Sequence, residues 1–136
     1  SLGKIVEFEE DTTIFRGGET TRYCFLIIDG KVSLEICSAG AGCVRIMTLE
    51  KGELLGLSPL LGEAKFGVTA RTLAATQAVQ FNGPDVVQCC QQHPAFGHHF
   101  MRCTALALSK RLAATRMQLL DLFRTGVPPT EKSEAR

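Results

Sequence analysis

Two cysteine–histidine pairs are the first candidates for chemistry: Cys89 and His93 lie four residues apart, as do His99 and Cys103. On a helix that spacing puts both members of a pair on one face, and two cysteines with two histidines suit zinc. Pro94 falls between the pairs and interrupts the helix that would have to bring them together. The same four residues therefore also read as two buried cysteines and two surface histidines flanking a helix junction. Cys89 and Cys90 are adjacent, so their side chains diverge on a helix, and no Cys-x-x-Cys motif accompanies them. There is no Gly-x-Ser-x-Gly, no Ser/His/Asp order and no paired carboxylates in a glycine context. Glu9-Glu10-Asp11 reads as a solvated turn, and no metal or catalytic residue is assigned.

A different chemistry is carried by Glu53 to Thr72, ELLGLSPLLGEAKFGVTART. Gly56 and Gly67 bracket it, and Pro59 opens a single helical turn. A glycine elbow leading into a short helix presents free backbone N–H groups, and such groups cradle phosphates.

Composition sets the scale on which such a site is built. The 136 residues make one domain with a real core, and 45% apolar with 21% charged residues is globular. A formal net charge of +1 provides no field for nucleic acid, so direct DNA binding is not expected. No apolar run approaches the ~20 residues that span a bilayer. Ser1 to Phe8 carries charges where a signal peptide would be apolar. The six cysteines are accordingly expected to be reduced, in a cytoplasmic protein.

The elements that must position the stretch are mostly strands. Ile5 to Phe8 and Thr12 to Phe15 are short β pieces, and Gly17-Gly18 marks a turn. Tyr23 to Ile28 is a buried strand, followed by Asp29-Gly30, a strong two-residue hairpin signal. Beyond it, Lys31 to Cys37 alternates with Val32, Leu34 and Ile36 on one face. Ser38 to Gly42 is a flexible tip; Val44 to Leu49, Val68 to Leu73 and Thr76 to Phe81 complete six or seven strands. Strands turned every eight to twelve residues suggest a sandwich, jelly roll or barrel.

Asn82-Gly83-Pro84-Asp85 starts a helix that runs to about His93, and Pro94 begins another of nearly thirty residues. Along it Met101, Ala105, Leu108, Leu112, Thr115, Leu119 and Leu122 form an a/d heptad seam. A homodimer through Met101 to Leu122 follows. A second apolar face, Phe96, Phe100, Cys103 and Ala107, is expected to pack on the strands. Residues 124–136 read as a disordered tail.

Taken in order, Ile14-Phe15-Arg16-Gly17-Gly18-Glu19, Tyr23 to Val32, Leu49 to Gly56, His93-Pro94 and Lys110-Arg111-Leu112 resemble the cyclic-nucleotide-binding domain. That family includes bacterial catabolite-activator-type regulators and kinase regulatory subunits. The implied fold is mainly β with C-terminal α: a jelly-roll-like β-roll over residues 4–81, then helices over 84–123, the last pairing two subunits. The chain stops after that helix, so the DNA-binding module of the activators is expected to be absent, with output through an unknown protein partner or adjacent domain.

The resemblance also implies a site for cAMP or cGMP at Leu55, Gly56, Leu57, Ser58, Lys65, Phe66, Gly67, Val68, Arg71 and Thr115. In the family a Glu takes the ribose hydroxyl and an Arg pairs the cyclic phosphate. Leu55-Gly56 keeps the approach to the site, but Leu57 stands at the Glu position and accepts no hydrogen bond. Ser58, one residue on, replaces it only in part. The Arg position falls at Lys65 or Phe66. Lysine offers a point charge without the bidentate fork, and phenylalanine offers nothing. Arg71 is the nearest guanidinium, in the following strand. Thr115 matches a position where activators touch the purine from the dimer seam; its other reading is a tolerated polar interface residue. Two functions follow: a non-enzymatic sensor in which a ligand shifts the long helix, or a module with a degenerate pocket that serves interaction and dimerisation.

Overall fold

The computed structural model describes residues 3–20 and 22–125. Eight strands precede two helices: β1 (Gly3–Phe8), β2 (Thr13–Phe15), β3 (Tyr23–Asp29), β4 (Val32–Ser38), β5 (Gly42–Leu49), β6 (Leu54–Leu55), β7 (Thr69–Thr72), β8 (Thr76–Asn82), α1 (Gly83–Gln92) and α2 (Pro94–Thr125). A 3-10 turn, Ser58–Leu61, separates β6 from β7. One antiparallel sheet has the order β1-β8-β3-β6 and the other β2-β7-β4-β5. The two face each other as a β-roll followed by helices. Among the described residues no helix is long and apolar enough to cross a membrane.

The roll interior is one apolar cluster built on Phe15, Phe25, Ile27, Leu34, Leu55 and Phe66. A second cluster, with Leu54, Leu57, Leu60, Phe81 and Val86, joins the outer face of the first sheet to the 3-10 turn and the helices. β3, β6 and β8 of that sheet thus feed two cores, because successive side chains leave opposite faces. α1 starts where Asn82 Oδ1 accepts the Asp85 amide at 3.0 Å. At Gly97 on α2 a Cβ would stand 2.5 Å from the Cys90 carbonyl oxygen, so glycine is what allows the two helices to close on each other.

Three expectations are corrected. Asp29-Gly30 does not join a hairpin: β3 pairs with β8 and β6, whereas β4 pairs with β5 and β7. Gly30 supplies a positive φ of 116° for a turn that carries the chain from one sheet to the other. The turn chemistry is as read, but a turn does not choose the partner of the strand that follows it. The hairpin lies one connection later, between β4 and β5, and Ile36 near its tip is exposed.

Cys37 and Cys43, expected to be reduced, are disulfide-bonded; they sit opposite each other on the β4–β5 ladder with Cα atoms 4.0 Å apart. Cys24, Cys89, Cys90 and Cys103 are free.

The face of α2 that meets the roll also differs. Phe100 and Ala107 pack there with Met101, a residue assigned to the seam, whereas Phe96 and Cys103 are exposed. Buried Thr104 and the polar Arg111 and Gln118 belong to the docked stripe, which an apolar pattern cannot reveal. Of the tail expected over residues 124–136, the first two residues continue α2, and 126–136 lie outside the described residues.

Candidate functional site

Leu55 and Gly56 end the strand that opens the candidate site. Leu55 is fully buried in the roll interior, opposite Phe25. Gly56 follows with φ +75°, a conformation that favours glycine. A Cβ there would stand 3.2 Å from the Phe66 ring, 3.3 Å from the Tyr23 carbonyl oxygen and 3.4 Å from the Phe15 ring. The glycine is therefore used for close packing as well as for the turn.

Leu57 turns away from the roll interior into the second cluster, where it is buried with Leu60 and Phe81. An acceptor for a ribose is missing both in chemistry and in direction. The 3-10 turn after it offers few donors. Pro59 has no N–H, the Leu60 amide donates to the Leu57 carbonyl at 2.9 Å, and the Ser58 carbonyl accepts the Glu63 amide at 3.1 Å. The phosphate cradle expected from the sequence is thus largely closed by its own backbone bonds.

Lys65 and Phe66, the two candidates for the arginine position, differ in orientation. Lys65 is exposed and forms an isolated bridge with Thr20. Phe66 points inward, is 4% exposed, and stacks on Phe15 with ring centroids 3.7 Å apart and planes 18° apart. Its backbone is clamped from both sides, the amide donating to Glu19 at 3.1 Å and the carbonyl accepting from Gly18 at 2.8 Å. Gly67 is exposed with open space beside it, while Val68 packs against the roll core. Residues 56–68 are thus brought together around an aromatic stack, not around a charge.

Arg71 lies on β7 and is committed elsewhere. Its Nη2 meets Glu35 Oε2 at 2.6 Å and its Nη1 meets Asp11 Oδ1 at 3.0 Å. The hydrogen bond to Glu35 leads the effects that hold the guanidinium above its ordinary pKa. Glu35 is 1% exposed and also accepts from Ser33 Oγ at 2.8 Å, and Ser33 in turn accepts from Arg45 Nε at 3.1 Å. This buried network was missed by sequence reasoning. Ser33 and Glu35 alternate with Val32 and Leu34, a pattern that also describes a strand with one wet face; what covers that face, Arg45 and Arg71, comes from other strands.

Thr115 is exposed on α2, and its hydroxyl donates to the Arg111 carbonyl at 2.9 Å, one turn back. Three contacts fasten α2 to β5, the β5–β6 connection and β6. Arg111 Nη2 donates to the Leu54 carbonyl, Lys110 pairs with Glu53 at 2.8 Å, and Gln118 Nε2 donates to the Arg45 carbonyl at 2.9 Å. The side of the helix next to this docked stripe is apolar and open: Leu108, Leu112, Leu119 and Leu122 of the seam are all exposed.

His99 Nε2 and Cys103 Sγ approach to 3.8 Å. Among the described residues no further ligand joins them, and the one group of three potential ligands, Glu35 with Cys37 and Cys43, contains the disulfide. The residues present do not fit a zinc site.

Comparison with known proteins follows this geometry. Residues 5–93 match the family described as the cyclic nucleotide-binding domain. Among solved structures, the global regulator CLP of Xanthomonas campestris, described as c-di-GMP responsive, superposes with a TM-score of 0.82 at 20% identity, covering 88% of this chain and 59% of that one. The catabolite activator protein of Thermus thermophilus gives 0.70 at 22% identity, covering 92% and 64%. A cyclic nucleotide-binding domain from Methylobacillus flagellatus gives 0.77 at 16% identity, covering 88% and 67%. No curated protein matches the sequence. The chain belongs to the cyclic nucleotide-binding domain family, and it spans 59% of the length of the Xanthomonas regulator.

Proposed function

We propose that this member of the cyclic nucleotide-binding domain family is a non-enzymatic regulatory module that dimerises through α2 and does not take cAMP or cGMP in its roll. The observation that carries this reading is Phe66. It stands at one of the two candidate arginine positions, faces inward, and fills the space over Gly56 with a ring stacked on Phe15. A cyclic phosphate placed there would lose its solvation against two phenyl rings and gain no guanidinium, since Arg71 is held by Glu35 and Asp11. Leu57, buried in the second cluster, supplies no ribose acceptor.

The homodimer is supported by the seam along α2, whose leucines are exposed on the protomer at heptad spacing. Output then passes to a protein partner or an adjacent domain, and the expected place of action is the cytoplasm. A second reading keeps the domain as a sensor. It draws on Gly67 and Lys65, which are exposed beside the elbow and leave room for a ligand bound at the rim.

Titration calorimetry with cAMP, cGMP and c-di-GMP separates the two. The proposed reading expects no heat and no melting shift at millimolar nucleotide. Saturable heat with any of the three that is lost on Lys65→Ala would replace it with the sensor reading.

A further inference from the structure

A cavity of about 380 Å³ lies between α2 and the strands β3, β5, β6 and β8. Its walls include Leu26, Leu54 and Phe81 from the strands and Phe100 and Ala107 from the helix. Leu26 and Leu54 neighbour the inward-facing Phe25 and Leu55, so alternation directs them away from the roll interior. This space is therefore separate from residues 56–68. Its volume falls within the roughly 300–1,000 Å³ of small-molecule sites.

The mostly apolar lining is interrupted by His99 and by three charged residues, Glu53, Lys110 and Arg111, the first two paired with each other. Arg111 donates through Nη2 to the Leu54 carbonyl, but among the described residues its buried Nε meets no hydrogen-bond acceptor. Glu53, the nearest carboxylate to influence it, makes its ion pair with Lys110. Desolvation is the main effect and lowers the guanidinium to about 10, which still leaves it protonated at neutral pH. A buried cation with an unmet donor is costly unless an anion or acceptor completes it. An apolar cavity beside such a cation selects for a ligand with the same two parts.

We propose that this cavity binds a lipophilic monoanion of the medium-chain carboxylate class, the carboxylate on Arg111 and the chain between Leu26, Leu54, Phe81 and Phe100. Guanidinium and carboxylate form the stronger, charge-assisted class of hydrogen bond. Because α2 forms one wall and also carries the dimer seam, occupancy couples to the position of that helix through any difference in affinity between two packings. The inference goes beyond the proposed dimer module, which stands whether or not the cavity is filled.

The test is calorimetry on the full chain with decanoate and, as the neutral match, decanol. Decanoate is expected to bind with a sub-millimolar Kd and decanol at least about tenfold more weakly, a difference of about 1.4 kcal/mol. Arg111→Met should weaken decanoate by a similar factor, and Ala107→Phe, which fills the cavity while keeping the cation, should abolish the heat. Cys103→Trp narrows the same space from the exposed side of α2 and serves if Ala107→Phe fails to fold. Absence of decanoate binding, equal affinity for decanol, or parental affinity in a folded cavity-filling variant would each overturn the proposal.

Discussion

The Phe66 ring stacks on the Phe15 ring at 3.7 Å, and a side chain begun at Gly56 would meet it at 3.2 Å. The glycine elbow and the aromatic stack are one packing unit. In a family whose members use this region for a phosphate, the inward-facing position holds a hydrocarbon ring, and the cationic neighbour Lys65 faces water. The side chain that faces inward decides which contacts the interior can offer. Here it offers dispersion and no charge.

Phe66→Ala should therefore behave as a core truncation. Loss of a buried phenyl ring costs about 3–5 kcal/mol, with the upper part of the range reached where the surroundings cannot collapse. Lys65→Ala, one residue away on the exposed side, should stay within about 0.5 kcal/mol of the parent. Urea unfolding of the two variants measures both. Similar, small effects would mean that Phe66 is not part of the roll core.

The Glu35–Arg71 pair gives a second contrast. Glu35 is buried and bonded to Ser33 as well as Arg71, so Glu35→Ala removes one partner of a buried network and should cost about 3–5 kcal/mol. Asp11 holds the same guanidinium from an exposed position, and Asp11→Asn should cost no more than about 1 kcal/mol. Denaturant midpoints of the two variants, measured at one pH, check the asymmetry.

A third prediction concerns pH. Burial pushes the Cys24 thiol up to about 12 from an ordinary 9.0, because the thiolate would lose its solvation beside the second core cluster. The folded state thus holds its proton after the unfolded state has released it. The contribution is fully present below pH 9 and is lost as pH rises from 9 towards 12. Stability of the parent should fall more steeply across that window than stability of Cys24→Ala, measured by urea melts at stepped pH. Parallel slopes would remove Cys24 as the source. Over the same range the exposed Cys103 should be alkylated well before Cys24.

What the sequence made legible was local. Alternation in Tyr23 to Ile28, proline at the start of each helix and heptad spacing along α2 depend on neighbours within a few residues, and each leaves a pattern. Partner choice does not. Asp29-Gly30 has hairpin chemistry, yet Leu26 lies opposite Leu54 and Val79 instead of a residue of β4. Ser33 and Glu35 look like a wet face until Arg45 and Arg71 arrive from strands ten or more residues away to cover it. The candidate site shows the same division. That Leu57 lacks an acceptor follows from its type alone; that Phe66 rather than Lys65 faces inward depends on the Glu19 and Gly18 backbone bonds that fix the strand edge.

The dimer seam gives the last prediction. Leu112 is half exposed on α2, directly after Arg111, which is docked on the roll. Leu112→Lys should leave the protomer folded, since half of the side chain already faces solvent and Leu112 belongs to neither core cluster, while placing a charge on each helix of a parallel pair at a core position. Burying a whole leucine stabilises by about 1.5–3 kcal/mol and about half of Leu112 is open to burial, so the two lost per dimer weaken association by at least about tenfold. Sedimentation velocity should show the variant as a monomer at concentrations where the parent is a dimer. Thr115→Ala should do the opposite of a purine-contact mutation. Its hydroxyl is turned back to the Arg111 carbonyl, so the change should leave the dimer intact and raise helix stability by a few tenths of a kcal/mol. A Leu112→Lys chain that sediments like the parent would place the interface elsewhere, and the open leucines of α2 would then need a different partner.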